Sequence, residues 1–61
     1  MKRSYVKVYY ENGDSINTWI NLNAAEAKQY YLGNVFNIGS VTDNLQRCIN
    51  VEVLQEEAFT V

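Results

Sequence analysis

Apolar and polar residues alternate strictly along the first third of the chain. From Ser4 to Tyr10, Val6, Val8 and Tyr10 share one face, while Tyr5, Lys7 and Tyr9 share the other. That is the period of a half-buried strand. Glu11-Asn12-Gly13-Asp14 carries turn chemistry. Ser15 to Leu22 then alternates again, with Ile16, Thr18, Ile20 and Leu22 on one side and Asn17, Trp19 and Asn21 on the other. A two-residue Asn12-Gly13 loop would set Val8 against Asn17 and Tyr9 against Ile16, apolar against polar, because a one-residue slip exchanges the faces. A three-residue loop, Glu11-Asn12-Gly13 with Gly13 left-handed, pairs Val8 with Ile16, Val6 with Thr18 and Tyr5 with Trp19. The pattern predicts that register.

The stretch from Asn23 to Asn34 changes period. Asn23 is a good N-cap, and Glu26, three residues on, completes a capping box and suits the positive helix end. Ala24, Ala25, Ala27, Lys28 and Gln29 are strong helix formers. Gly33 is placed to end the helix in the left-handed conformation. Ala24, Ala27 and Tyr31 make the predicted buried stripe, with Leu32 helping and Tyr30 at its rim. Such a short helix needs a sheet to lie on.

Asn34 to Gly39 reads as a short apolar link, with Phe36 and Ile38 plugging one end of the core, and Ser40 to Asn44 as a polar loop. Leu45 to Leu54 alternates with Leu45, Ile49, Val51 and Val53 inward and Gln46, Cys48, Asn50 and Glu52 outward. Arg47 falls on the inward parity near an edge, with its head in water. Gln55, Glu56 and Glu57 extend the strand, and Ala58 to Val61 is expected to fray. Pairing the last strand antiparallel with the first sets Val6 against Val53 and Val8 against Val51. Lys7 then meets Glu52, Arg3 meets Glu56 and Lys2 meets Glu57. The expectation is one α+β domain over residues 1–61, ordered β-β-α-β, with a three-stranded antiparallel or mixed sheet of order 2-1-3 and the helix on one face.

Size changes the picture at this point. A chain of 61 residues buries only about 60% of the surface it exposes when unfolded. The lone Cys48 makes no internal disulfide, and one cysteine without histidine does not suit a structural zinc. Oligomerisation is the remaining common aid, so a homodimer is expected. One helix covers one face, which leaves Tyr5, Tyr9 and Trp19 on the other as a dimer seam or another association surface. Stacking of single-stranded nucleic acid on these rings is the alternative. The net charge of −2 and the few cations do not supply the basic groove this requires. No apolar run is long enough for a membrane span. The single cysteine and the absence of a signal-peptide pattern fit the cytoplasm.

The candidates for chemistry are few. Without histidine there is no His-dependent triad. The three glycines lack phosphate-loop spacing. Cys48 has no evident activating base. Glu56-Glu57 reads as a solvated end, and Glu26 as a cap that can also be offered to a partner. An enzyme is not expected, nor is a cofactor or metal.

Tyr30-Tyr31-Leu32-Gly33-Asn34, closing a short helix after a hairpin and before a final strand, resembles the small uracil-DNA glycosylase inhibitors of short-tailed Bacillus phages. In that family an aromatic pair four residues apart ends at the glycine. Here Leu32 precedes Gly33, Lys28 stands four back from it, and the aromatics are shifted to Tyr30 and Tyr31. The resemblance implies a DNA-mimicking homodimer whose carboxylates stand in for phosphates. It also implies a hydrophobic pocket at the dimer seam that captures an apolar side chain of the enzyme. On this reading Glu26, Tyr30, Tyr31 and Leu32 bind the partner, a uracil-DNA glycosylase in the host cytoplasm. The alternatives are a homodimeric accessory protein that binds another host protein, or a weak single-strand binder using the aromatic face.

Overall fold

The first strand, β1 (Lys2–Tyr10), lies between two antiparallel neighbours, β2 (Ser15–Ile20) and the long β4 (Leu45–Ala58). These elements come from a computed structural model, in which residues 2–58 are described. The helix α1 (Ala24–Tyr31) and a three-residue strand β3 (Val35–Asn37) complete the order β-β-α-β-β. The sheet has four strands in the order β2-β1-β4-β3. The expected three-stranded sheet of order 2-1-3 therefore keeps its first three neighbours and gains an edge strand. Val35–Asn37, read as a link, pairs with Leu45–Arg47.

The hairpin forms in the predicted register, with Val8 opposite Ile16, Val6 opposite Thr18 and Tyr5 opposite Trp19. Gly13 makes it possible, because its φ of 95° closes the three-residue loop between the Tyr10 and Asp14 backbones. The helix is closed as the sequence implies. The Asn23 side chain accepts from the Glu26 N–H at 2.9 Å, and the Glu26 carboxylate accepts from the Asn23 N–H at 3.5 Å. Gly33, at φ 80°, turns the chain out, and its N–H donates to the Cys48 carbonyl while the Cys48 N–H donates to the Asn34 carbonyl. The end of α1 is thus tied to β4 by two backbone bonds.

Two β-bulges in β4 account for most of the differences from simple alternation. Val51, Glu52 and Val53 face Val8, Lys7 and Val6 as predicted, but the register shifts on either side of this block. Each shift adds one residue to β4 and reverses the parity beyond it. Cys48, expected outward, is buried at 1% exposure, and Ile49, expected inward, is 56% exposed. Leu45 and Arg47, also placed on the inward parity, are exposed, and the Arg47 guanidinium donates to the Gly33 carbonyl at 3.0 Å. At the other end Arg3 faces Glu57 rather than Glu56, and Lys2 faces Ala58 rather than Glu57. Arg3 pairs with Glu57 directly opposite, and Lys2 pairs diagonally with Glu56 at 3.6 Å. Glu56 also accepts from the Ala24 N–H at 2.7 Å, supplying an anion to the helix N-terminus. Glu56 and Glu57 are therefore structural ties, not a solvated end. Ala58 closes β4, and the remainder of the stretch expected to fray lies outside the described residues.

The core sits between α1 and the sheet. Val6, Val8, Tyr10, Ala27, Tyr31, Cys48 and Val51 are buried together, with Ile20, Leu22, Phe36, Ile38 and Val53 packed around them. Ala27 is fully covered, which lets the helix approach the strands closely, and Ala24 is half-buried at the edge of the stripe. Ser4 is buried under the helix entry and satisfies its hydroxyl on the Leu22 carbonyl at 2.9 Å.

Candidate functional site

The last turn of α1 overhangs the part of the sheet that the helix leaves uncovered. Tyr30 and Tyr31 are consecutive and point in different directions. Tyr31 goes down into the core at 9% exposure, while Tyr30 stays at the rim at 51%. Phe36 of β3 meets both, with ring centroids 5.7 Å from Tyr30 and 5.4 Å from Tyr31, and the two tyrosines meet edge to face at 5.0 Å. These three rings form one wall of an apolar cleft of about 320 Å³. Tyr10, Ile16 and Thr18 supply the floor and opposite side, and Asn37 and Ile38 close the end.

Local bonds hold this wall in place. Asn34 donates through its side chain to the Tyr30 carbonyl at 2.6 Å and through its N–H to the Tyr31 carbonyl at 3.1 Å. These bonds satisfy carbonyls that a helix end otherwise leaves open. Asn37 is fixed by Asp43, which accepts from its side-chain amide at 3.0 Å, and by the N–H groups of Gly39 and Asn44. An acidic group stands at the end of the cleft at Asp43, bonded to Asn37, while the Asp14 carboxylate accepts from the Asn12 side chain in the β1–β2 loop. Burial pushes the phenols of Tyr10 and Tyr31 and the thiol of Cys48 above their ordinary values, so all three are neutral at physiological pH. Cys48 is a buried packing group, with its Sγ 3.4 Å from the Asn50 carbonyl.

The four residues expected to bind a partner do not all converge. Tyr30 and Tyr31 line the cleft. Leu32 is the exposed C-cap and is not among the cleft residues, which also removes it from the buried stripe. Glu26 is at the opposite end of α1, occupied in the capping box and beside a separate depression lined by Lys2, Asn21, Leu22 and Asn23. Sequence reasoning missed Tyr10, Ile16, Thr18, Phe36, Asn37 and Ile38 as cleft residues, although it placed Tyr10, Ile16 and Thr18 on inward faces and Phe36 and Ile38 at one end of the core. The cleft gathers them from several elements, and only the inward parity of Ile16 and Thr18 beyond the reach of a short helix signalled it. No family model, curated protein or solved structure matches this chain. The chemistry of the cleft therefore has to speak for its use. It has aromatic walls and neutral phenols, and among the described residues there is no cluster of His, Cys, Asp or Glu able to hold a metal. Such a site suits the capture of an apolar side chain or ring.

The second face of the sheet carries Tyr5, Tyr9 and Trp19, as expected. Tyr5 and Trp19 pack with centroids 5.1 Å apart, and the Arg3 guanidinium lies 4.4 Å from the Trp19 ring centre. Lys7 stands over Tyr9 at 5.2 Å, and the Tyr9 hydroxyl donates to Glu52 at 3.2 Å. The cations of this face are thus set against its own carboxylates and rings, an arrangement poorly suited to tracking a phosphate backbone. No helix is long and apolar enough to cross a membrane among the described residues.

Proposed function

We propose that this chain is a stoichiometric protein inhibitor of a host uracil-DNA glycosylase, of the kind phages encode, and that it is not an enzyme. The aromatic cleft at the last turn of α1 receives the apolar side chain that the glycosylase otherwise pushes into DNA. The observation that carries this reading is the wall of Tyr30, Tyr31 and Phe36 anchored through Gly33 and Asn34 to β4. Of the helix-closing residues that resemble the inhibitor family, Tyr30 and Tyr31 line the cleft, and Gly33 and Asn34 hold them in place. A rigid aromatic pocket that excludes water around one apolar anchor is the usual form of a binding hot spot.

Carboxylates beside the cleft take the place of DNA phosphates. Asp43, bonded to the cleft residue Asn37, is one such group, and with the net charge of −2 it favours encounter with a basic DNA-binding surface. Glu26, balanced on α1 by Lys28, contributes only to the net charge of the chain. The protein acts in the cytoplasm of the host cell, where the glycosylase works.

A titration of uracil-DNA glycosylase on uracil-containing DNA tests the proposal. Activity should fall in proportion to added protein and reach zero near equivalence. Tyr30→Ala should weaken inhibition about 30-fold, as loss of a hot spot of about 2 kcal/mol does. Full glycosylase activity in the presence of excess protein overturns the assignment. Binding of a different protein through the same cleft would then be the surviving reading.

A further inference from the structure

We propose that the aromatic cleft is also a binding site for a small, neutral, planar ring that carries a carbonyl beside a ring N–H, the lactam chemistry of a nucleobase. Tyr30, at the rim, offers an apolar contact to any side chain that enters. The floor of the same cleft offers hydrogen bonds, which an apolar group cannot use.

Two phenols supply them. Tyr10 is 2% exposed and Tyr31 9%, and both line the cleft. Neither hydroxyl has a hydrogen-bond partner among the described residues. Every fully enclosed polar side-chain atom there does have one, as protein interiors require. The two hydroxyls are therefore not sealed in, and the space they open to is the cleft that their rings line. Burial, and after it the Cys48 thiol and the Tyr31 phenol, raise the pKa of Tyr10, so the two phenols are neighbours and both keep their protons at neutral pH. Each has one O–H to donate.

Thr18 supplies the opposite function. Its hydroxyl donates to the Trp19 carbonyl at 3.3 Å, which leaves it only lone pairs to offer an occupant. The cleft thus combines two donors and an acceptor with the rings of Tyr30, Tyr31 and Phe36, whose faces and edges suit a flat aromatic guest. No ionised side chain lines it, so a charged guest would give up its hydration without a counter-charge. A purely apolar guest would shut both phenols away from solvent unpaired, whereas a ring carbonyl gives them an acceptor and the adjacent N–H finds Thr18. The cleft volume of about 320 Å³ is at the small end of the about 300–1,000 Å³ common for small-molecule sites, which suits one ring or a fused pair.

Titration of nitrogen-labelled protein, followed by its backbone amide resonances, tests this without any glycosylase, so its outcome is separate from that of the inhibition assay. The probe is α-pyridone, a ring lactam, which should shift the amides of Ile16, Thr18, Phe36 and Asn37 saturably. Toluene, flat and of like size but without polar atoms, should bind at least about tenfold less tightly. Tyr10→Phe and Tyr31→Phe keep the rings and remove only the hydroxyls. Each should weaken α-pyridone about 3- to 10-fold, the worth of one neutral hydrogen bond, and should not weaken toluene. Neither should lower the melting temperature, because the hydroxyl has no partner in the fold to lose. N-methyl-α-pyridone, which keeps the carbonyl and loses the N–H, should bind about threefold less tightly than α-pyridone. No saturable shift at the cleft, toluene binding as tightly as α-pyridone, or α-pyridone binding undiminished by both substitutions would each overturn the site. A methylated probe that binds equally well would overturn the lactam assignment. A melting temperature lowered by Tyr10→Phe or Tyr31→Phe would show that hydroxyl to be bonded within the fold, and would overturn its role as a donor to the guest.

Discussion

The two faces of this sheet are built from the same strands and solve different problems. On the helix side Val6, Val8, Tyr10, Cys48 and Val51 are covered by Ala27 and Tyr31, and the rings left over at the end of α1 enclose a cleft. On the far side Tyr5, Tyr9, Trp19, Ile49 and Leu54 lie away from the only helix among the described residues, and ions are set among them. The covered face holds the fold together. The open face leaves Trp19, Ile49 and Leu54 exposed. A domain this small cannot cover both faces, and the placement of charge tells them apart. Among the described residues no ionised group is buried on the first face, whereas β1 and β4 carry opposed rows on the second.

The contrast is sharpest in stability. Tyr31→Ala removes a buried ring from the core and the cleft wall together and should cost about 3–5 kcal/mol. That is most of what a domain of this size possesses. Trp19→Ala, a still larger truncation on the open face, should cost the isolated chain much less. Urea denaturation at concentrations where the protein is monomeric compares them, and equal losses would break the distinction between the faces.

Alkaline pH should attack the covered face selectively. Tyr10, Tyr31 and Cys48 have pKa values raised chiefly by burial, with neighbouring titrating groups adding to the shift of the two tyrosines and a backbone hydrogen bond at Asn50 offsetting part of that of the thiol. A raised folded value means that the folded state holds the proton more tightly than the unfolded one. The stabilisation is complete below the ordinary values of 9.0 for the thiol and 10.0 for the phenols, and is lost as pH rises through the folded values. Thermal unfolding should therefore shift down above about pH 9, and Cys48→Ala should delay the onset. A melting temperature flat to about pH 11 would contradict the burial of these groups.

Gly33→Ala should cost about 1–2 kcal/mol, because an L-residue is disfavoured at φ 80° although the added Cβ meets no neighbour. Melting temperature falls by about 4–8 °C per kcal/mol in a domain of this size, so the drop should be roughly 4–16 °C. Loss of the cleft with it would show that the helix end and the cleft are one construction. Arg3→Gln, on the open face, should cost the monomer only about 1 kcal/mol, the sum of a partly exposed ion pair and an exposed cation–π contact. A loss as large as that of Tyr31→Ala would mean that the open face holds the single chain together after all.

Much of this was legible in the residues. Alternation and a three-residue loop settled the β1–β2 register, because a slip by one would have put Asn17 in the core. The valines settled the middle of β1–β4 for the same reason. The ends of β4 were not legible, since each bulge inverts parity and the alternation of Leu45–Leu54 has only isolated breaks, at Arg47 and Leu54. The hints were Cys48, a residue type that prefers burial, set outward by that alternation, and Arg47, set inward by it. β3 is too short to show a period, and its pairing follows from where Gly33 aims the chain. Tyr30 and Tyr31 could be nominated from helical spacing, but the other cleft residues come together only once Phe36 is carried back across the helix end by β3.

The separation of the two faces is tested most directly by titrating uracil-DNA glycosylase with two variants side by side. Tyr30→Ala alters the cleft, while Leu54→Lys alters an exposed residue of the open face and leaves the cleft. Tyr30→Ala should weaken inhibition about 30-fold. Leu54→Lys should inhibit as the wild type does. Inhibition undiminished by Tyr30→Ala, or lost with Leu54→Lys, would contradict the division of labour between the faces.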